Sequence, residues 1–417
     1  MKLSSLARTA LSAAIAAACS PAPTNSTADG QGADSAADAR MCPPGTPTQP
    51  QARGDAVGAV DPATGFLYVF GGDVGPTVMC IPSPMFRNDT WRYDADCDQW
   101  QQIEATGAPS PRSRSASALD TRRRRLIVFG GRFRSGTSGN YTLYSDVWAL
   151  DFATQSWARL EIVGPGPSAR ANAAATYDPM TDELIVHGGN TSASGASFTP
   201  QGDLWALNLE TRVWRRITAT GGGPSARLFH GATIVGRSLF VLGGGGANAF
   251  QGPFNTDLWR LDLSSGEWTQ VFESNDSIVG RINPALVPDG EGLLLLTGHD
   301  DGALGNRNDA IGISAQGAVT VHVEGDQLDQ PPAGFCDFPA NFVTAQADTP
   351  ERRSAGVVAP DPARGRVIVY GGKTDCGLAG DVWLFDLATH RWRVSRGTND
   401  GMSCARQNRT NCRTLCN

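Results

Sequence analysis

Lysine is almost missing from this 417-residue chain: Lys2 and Lys373 are the only two. Arginine therefore supplies nearly all the positive charge, and acids outnumber bases, 41 to 35, for a net charge of −6. An acidic chain with no basic run is a poor partner for nucleic acid. Histidine is scarce as well, with five in all. The sequence has no C-x2-C pair of the kind that holds zinc, no Ser/His/Asp motif and no glycine loop opening a helix to hold phosphate. No cofactor and no metal are expected. The one apolar stretch near the start, Leu11 to Ala18, is too short to span a bilayer. What is plentiful is glycine, at 49 residues, which suits many tight turns between short strands.

The first residues read as an export signal: Lys2 and Arg8, then small apolar residues ending in Ala16-Ala17-Ala18-Cys19. This resembles a bacterial lipobox, which implies lipidation of Cys19 and membrane attachment through that lipid alone. Cleavage after the Ala-x-Ala site, releasing a soluble protein, is the competing reading. Either way the mature chain is expected to be exported, at the envelope or beyond it. Residues 19–41 are rich in Ala, Ser, Pro, Thr, Asp and Gly, cannot repay their ordering entropy, and are expected to be a flexible tether after a signal peptide over 1–18. Eight cysteines remain after Cys19: Cys42, Cys80, Cys97, Cys336, Cys376, Cys404, Cys412 and Cys416. An even number in an exported chain points to disulfides. Cys97 is expected to be bridged by a flexible arm, from Cys42 or from the cysteine-rich tail over 397–417, rather than by Cys80.

The body of the chain repeats with a period near 57 residues. All ten tryptophans fall into five pairs nine apart: Trp91/Trp100, Trp148/Trp157, Trp205/Trp214, Trp259/Trp268 and Trp383/Trp392. The first of each pair sits in an alternating segment such as Asp146-Val147-Trp148-Ala149-Leu150-Asp151. Upstream lies an apolar run closed by two glycines, as in Leu67-Tyr68-Val69-Phe70-Gly71-Gly72 and Val367-Ile368-Val369-Tyr370-Gly371-Gly372. A weaker strand opened by an arginine precedes that run. The openers are read as Arg53, Arg114, Arg170, Arg227, Arg281 and Arg353, sixteen to eighteen residues before the first glycine. One repeat is thus four antiparallel strands, a to d.

This pattern strongly resembles the kelch repeat, from residue 53 to about 395. The resemblance implies an all-β, six-bladed kelch-type β-propeller of four antiparallel strands per blade, over 42–396, with blades near 53–111, 112–168, 169–225, 226–280, 281–350 and 351–396. The fifth copy is degenerate: His299 is read at the second glycine position, Ile311 replaces the first tryptophan, and an insertion follows over 324–350. The first repeat has its own strand a and the last its own strand d, so the ring should close without strand exchange.

The long b–c loops, 73–88, 132–145, 190–202 and 245–256, share one face with the d–a connections, and binding is expected there. The six arginines are expected around the channel mouth on that face. They would either hold a carboxylate or a sulfated or sialylated sugar, or pair with a neighbouring Asp or stack on a Trp. His187 and His230 read as structural, and the polar loop around His299 to Asp309 as solvated. The expected function is a non-catalytic, monomeric module at the cell envelope that binds a protein or glycan, with an anionic ligand in view. The alternative is a small-sugar enzyme, since a bacterial sialic-acid mutarotase resembles this chain in fold, export and blade number.

Overall fold

The computed structural model describes residues 42, 48–75, 77–78, 81–82, 84–300, 305–329, 343–344, 346, 348–374 and 377–397. The chain divides into residues 1–43 and a unit over 44–417; of the first, only Cys42 is described.

Six antiparallel sheets follow one another along the chain, five of four strands and a sixth that adds the short strand Arg353–Ser354 to its four. Blade one is Val57–Val60, Phe66–Phe70, Thr90–Asp94 and Gln99–Ile103. Blade two is Ala116–Asp120, Arg125–Phe129, Val147–Asp151 and Ser156–Arg159; blade three is Ala174–Asp178, Glu183–His187, Leu204–Asn208 and Trp214–Arg216. Blade four is Gly231–Val235, Ser238–Leu242, Leu258–Asp262 and Glu267–Phe272; blade five is Ala285–Asp289, Gly292–Leu296, Ala310–Ile313 and Val319–Val323. Blade six is Val357–Asp361, Arg366–Thr374, Leu378–Asp386 and Arg391–Arg396. The only helix among the described residues is one 3-10 turn at Pro362–Arg364. Strand a of each blade lies beside strand a of the next, blade six against blade one included.

Every blade contributes all four of its strands, so no strand is exchanged at the ends. The seam is closed instead by side chains and backbone from both blades. The Tyr93 hydroxyl meets Ser395 Oγ at 2.8 Å, Arg396 pairs with Asp98 at 2.8 Å, and Arg366 pairs with Asp96 at 2.7 Å. Both faces of each central strand are covered by a neighbouring blade, which is why Leu67 to Phe70 is buried throughout rather than on alternate residues. The second tryptophan of each pair packs into the preceding blade's core, as Trp157 of blade two does against Phe70 of blade one, at 4.7 Å between ring centroids.

Blade five keeps the frame without the tryptophans. Ile311 pairs with Leu295 as Trp259 pairs with Val241, and Val319 stands at the second tryptophan position. The glycine register differs from the expected one by a residue. Thr297, at φ 56°, fills the first glycine position and Gly298, at φ 113°, the second, so His299 follows the pair. Of the insertion, Gln327–Leu328 pairs with Val343–Thr344. Asn308 anchors it by donating from Nδ2 to Asp326 and Thr349.

Cys42 and Cys97 are each disulfide-bonded. Cys19, Cys80, Cys336, Cys376, Cys404, Cys412 and Cys416 lie outside the described residues.

Candidate functional site

The arginine that opens each blade is buried, at no more than 2% exposure: Arg53, Arg112, Arg170, Arg227, Arg281 and Arg353. Each makes a forked ion pair with the aspartate that begins strand c, namely Asp89, Asp146, Asp203, Asp257, Asp309 and Asp381, with a shorter N–O distance of 2.5 to 2.8 Å. Nη1 also donates to the carbonyl of the first residue of the glycine pair, Gly71 in blade one and Thr297 in blade five. Nε donates to the carbonyl two residues back. In the five blades that carry it, the tryptophan Nε1 donates to the same aspartate. Burial alone would raise the Asp309 carboxyl, but the attraction of Arg281 holds it below the ordinary range.

These pairs explain the repeat. The Asp-x-Trp and Gly-Gly motifs are the receptors for one buried guanidinium: four of its five donors are used in every blade, and the fifth goes to a serine in blades two, three and four. Of the two readings open for this ring, pairing with an aspartate is the one the geometry fits: Arg53, Arg170, Arg227, Arg281 and Arg353 fasten strands b and c to the blade's opening residue. One register is corrected. The blade-two member is Arg112, not Arg114. A local signal marks the register: Ser110, Ser168 and Ser225 lie two residues before Arg112, Arg170 and Arg227 and accept from Nη2.

A second ring lies two residues further on, at Asp55, Arg114, Asn172, Phe229, Asn283 and Ala355. All six are left-handed, with φ between 50° and 59°. Their backbones form a girdle from blade to blade. The N–H of Asp55 donates to Ala355 at 2.8 Å, Arg114 to Asp55 at 3.0 Å, Asn172 to Arg114 at 3.0 Å, Phe229 to Asn172 at 3.0 Å and Asn283 to Phe229 at 2.7 Å. A run of non-glycine residues held left-handed carries strain, and the girdle is what fixes it. Just outside stand the residues that follow the glycine pairs: Asp73, Arg132, Asn190, Gly245, His299 and Lys373, bridged to the residue after each opening arginine.

The side chains of these two rings do not repeat. Asp55 accepts from Arg114 Nε at 3.2 Å and from Lys373 Nζ at 2.5 Å. Burial works to raise its carboxyl, but Arg114 and Lys373 outweigh burial and hold it well below the usual range. The Arg114 guanidinium lies 5.0 Å from the ring centre of Phe229 and 5.5 Å from that of Phe250. Phe198 packs against both rings. Arg132 stacks on Tyr141 at 4.0 Å, with Arg134 at 4.3 Å from the same ring.

Several polar atoms here have no partner among the described residues: Arg114 Nη1, Arg132 Nε, Arg134 Nε, Ser113 Oγ and both amide atoms of Asn172. Arg132 is 8% exposed and makes no ion pair among the described residues. Burial, and then repulsion from Arg114, bring its pKa down to about 9. The carboxylate of Asp73 lies close enough to oppose that fall, but its Oδ1 is taken by the N–H groups of Gly75 and Met85. Three cations, Arg114, Arg132 and Lys373, thus share the field of two carboxylates, and Asp55 is already bonded to Arg114 and Lys373, in a setting where unpaired donors are costly.

His187 and His230, read separately as structural, touch each other. His187 Nδ1 lies 2.9 Å from His230 Nε2, both rings are buried, and burial brings His187 down to about 3. In the fifth loop Asp309 is bound to Arg281, and His299 Nδ1 lies 3.3 Å from Asn306.

Comparison with known proteins gives one consistent answer. Residues 135–311 match the family model described as the KLHDC2/KLHL20/DRC7 Kelch-repeats domain. Kelch domain-containing protein 10 of Xenopus tropicalis is 26% identical over 301 residues, covering 69% of this chain and 66% of that protein. Acyl-CoA-binding domain-containing protein 5 of Arabidopsis thaliana is 29% identical over 153 residues, covering 37% of this chain and 22% of that protein. The chain thus spans 66% or less of the length of these two relatives. A solved structure titled "Structure of YjhT" superposes with a TM-score of 0.57 at 16% identity, covering 84% of this chain and 99% of that one, which speaks for the fold alone. Motifs and blades agree with these matches: the fold is a six-bladed β-propeller, and residues 135–311 match a kelch-repeat domain.

Proposed function

We propose that this propeller is a non-catalytic binding module, displayed at the cell envelope through lipid on Cys19, and that its channel mouth receives an anionic group of a protein or glycan. The observation that carries this reading is Arg132: a buried guanidinium that Arg114 repels, with no ion pair and no hydrogen-bond partner for its Nε among the described residues. A carboxylate would satisfy that donor, and Phe198, Phe229 and Phe250 offer apolar surface beside it. Asp55 is unsuited to shuttling a proton, because two cations hold it ionised, which favours binding over acid–base chemistry at this mouth.

The test is a binding screen of the purified protein against acidic peptides, sialylated glycans and their neutral counterparts. Anionic members should be retained, and Arg132→Gln should weaken the hits about 10- to 100-fold, the worth of one charge-assisted hydrogen bond. Hits that ignore Arg132→Gln, or that are neutral, contradict the reading. For the envelope, Cys19→Ala should move the protein to the soluble fraction; unchanged membrane association contradicts the anchor.

A further inference from the structure

We propose that Asp289, His322 and His390 form a transition-metal site that staples blade five to blade six. Asp289 ends strand a of blade five, His322 lies in strand d of the same blade, and His390 sits in the c–d turn of blade six. One ligand atom from each lies within 4.8 Å of the other two. His390 Nε2 is 3.3 Å from Asp289 Oδ2, and the two imidazoles stack at 3.6 Å with their planes 1° apart. All three are partly exposed, so an ion can reach them.

Backbone geometry brings His322 here. In blades four, five and six strand d carries one extra residue near its end: Val271, His322 and Ser395. Such a bulge re-aims a side chain, and in each case it points to the next blade. Val271 lies against Gly317, Ser395 meets Tyr93, and His322 meets His390. Space is made as well. Gly312, in the adjacent strand c, has an ordinary strand backbone, yet a Cβ there would collide with His322 Nε2. The blade-four residue in that place is Arg260 and the blade-six residue Leu384. The space the imidazole fills in this position is the space a side chain at residue 312 would take.

Two imidazole nitrogens and one carboxylate oxygen are the donor set of a three-ligand zinc-type site with open positions, and suit Zn²⁺, Co²⁺, Ni²⁺ or Cu²⁺ better than calcium or magnesium. Tetrahedral zinc places ligand atoms about 3.4 Å apart; the stacked rings hold their nitrogen lone pairs in parallel planes, so binding requires one imidazole to turn toward the shared ion. The location also has a reason. Blade five has no tryptophan, and a metal would tie its strands a and d to the intact sixth blade.

The full chain, with disulfides intact and no polyhistidine tag, is treated with chelator and titrated with Co²⁺ and Zn²⁺. One equivalent of Co²⁺ should give a ligand-field spectrum, and Zn²⁺ should raise Tm with the logarithm of free ion. His322→Ala and Asp289→Asn should weaken binding about 100-fold or more, beyond the effect of losing a mere supporting group. His390→Asn, which keeps a side chain tolerant of the left-handed turn, should do the same while leaving the metal-free Tm near wild type. No spectral change at one equivalent, or variants that bind like wild type, would overturn the proposal. Should His322→Ala fail to fold, the Asp289→Asn result decides.

Discussion

Two rings lie two residues apart at the top of this propeller, one of arginines and one of mixed residues, and they differ in almost everything. In the first, all six arginines are buried and identically forked onto aspartate. In the second, the six positions share a backbone conformation and nothing else; their side chains are acidic, basic, amide, aromatic and small. Sameness around the ring marks what every blade needs to hold together. Variety on an identical backbone marks what no blade needs for folding. A buried charge left unmatched among the varied residues is a cost the fold has no reason to carry, and a ligand would remove it.

The largest effect should come from the uniform ring. Asp381→Ala leaves Arg353 buried without its counter-ion and should cost about 3–5 kcal/mol in denaturant unfolding. A loss under about 1 kcal/mol would erase the distinction between the rings.

A pH effect comes next, from a pair that belongs to neither ring. His187 and His230 are buried and neutral when folded, with pKa values held below the free value of 6.5, His187 near 3. A depressed folded pKa means that the unfolded chain takes up protons first. Stability should therefore be full above about pH 6.5 and decline as pH falls toward about 3. His187→Phe, which copies Phe70 and Phe129 at this place in blades one and two, should flatten that decline. An unaltered pH profile would show the pair is not its source.

The smallest effect is expected at the seam. Arg396 and Asp98 are partly exposed, so Arg396→Ala should cost at most about 1 kcal/mol. A larger loss would mean that closure rests on exposed pairs more than on the buried staples.

Most of the fold was legible because the sequence states it repeatedly. Five tryptophan pairs, the glycine pairs and the Arg-to-Gly spacing each imply the same four strands, so a degenerate fifth copy could be counted by register alone. The same repetition misled at Arg114, where two arginines two residues apart both fit; the serine before Arg112 was the discriminating mark. Burial was not legible. Nothing in a string of letters shows that six arginines already have partners, or that Arg132 makes no ion pair among the described residues. The mouth was hidden for the opposite reason: its loops do not repeat, and Asp55, Arg114, Arg132, Asn172 and Lys373 are spread across blades one, two, three and six. The histidine contacts, His187 with His230 and His322 with His390, join different blades, and pairings at that separation leave no local pattern.

The central claim, that one set of buried arginines serves the fold and another serves a ligand, is tested most directly by unfolding two variants side by side. Arg227→Met removes a staple and should lose about 3 kcal/mol or more, because Asp257 is left unpaired. Arg132→Met removes a buried guanidinium with no ion pair among the described residues and should leave stability unchanged or raise it. Equal losses in the two variants would contradict the account.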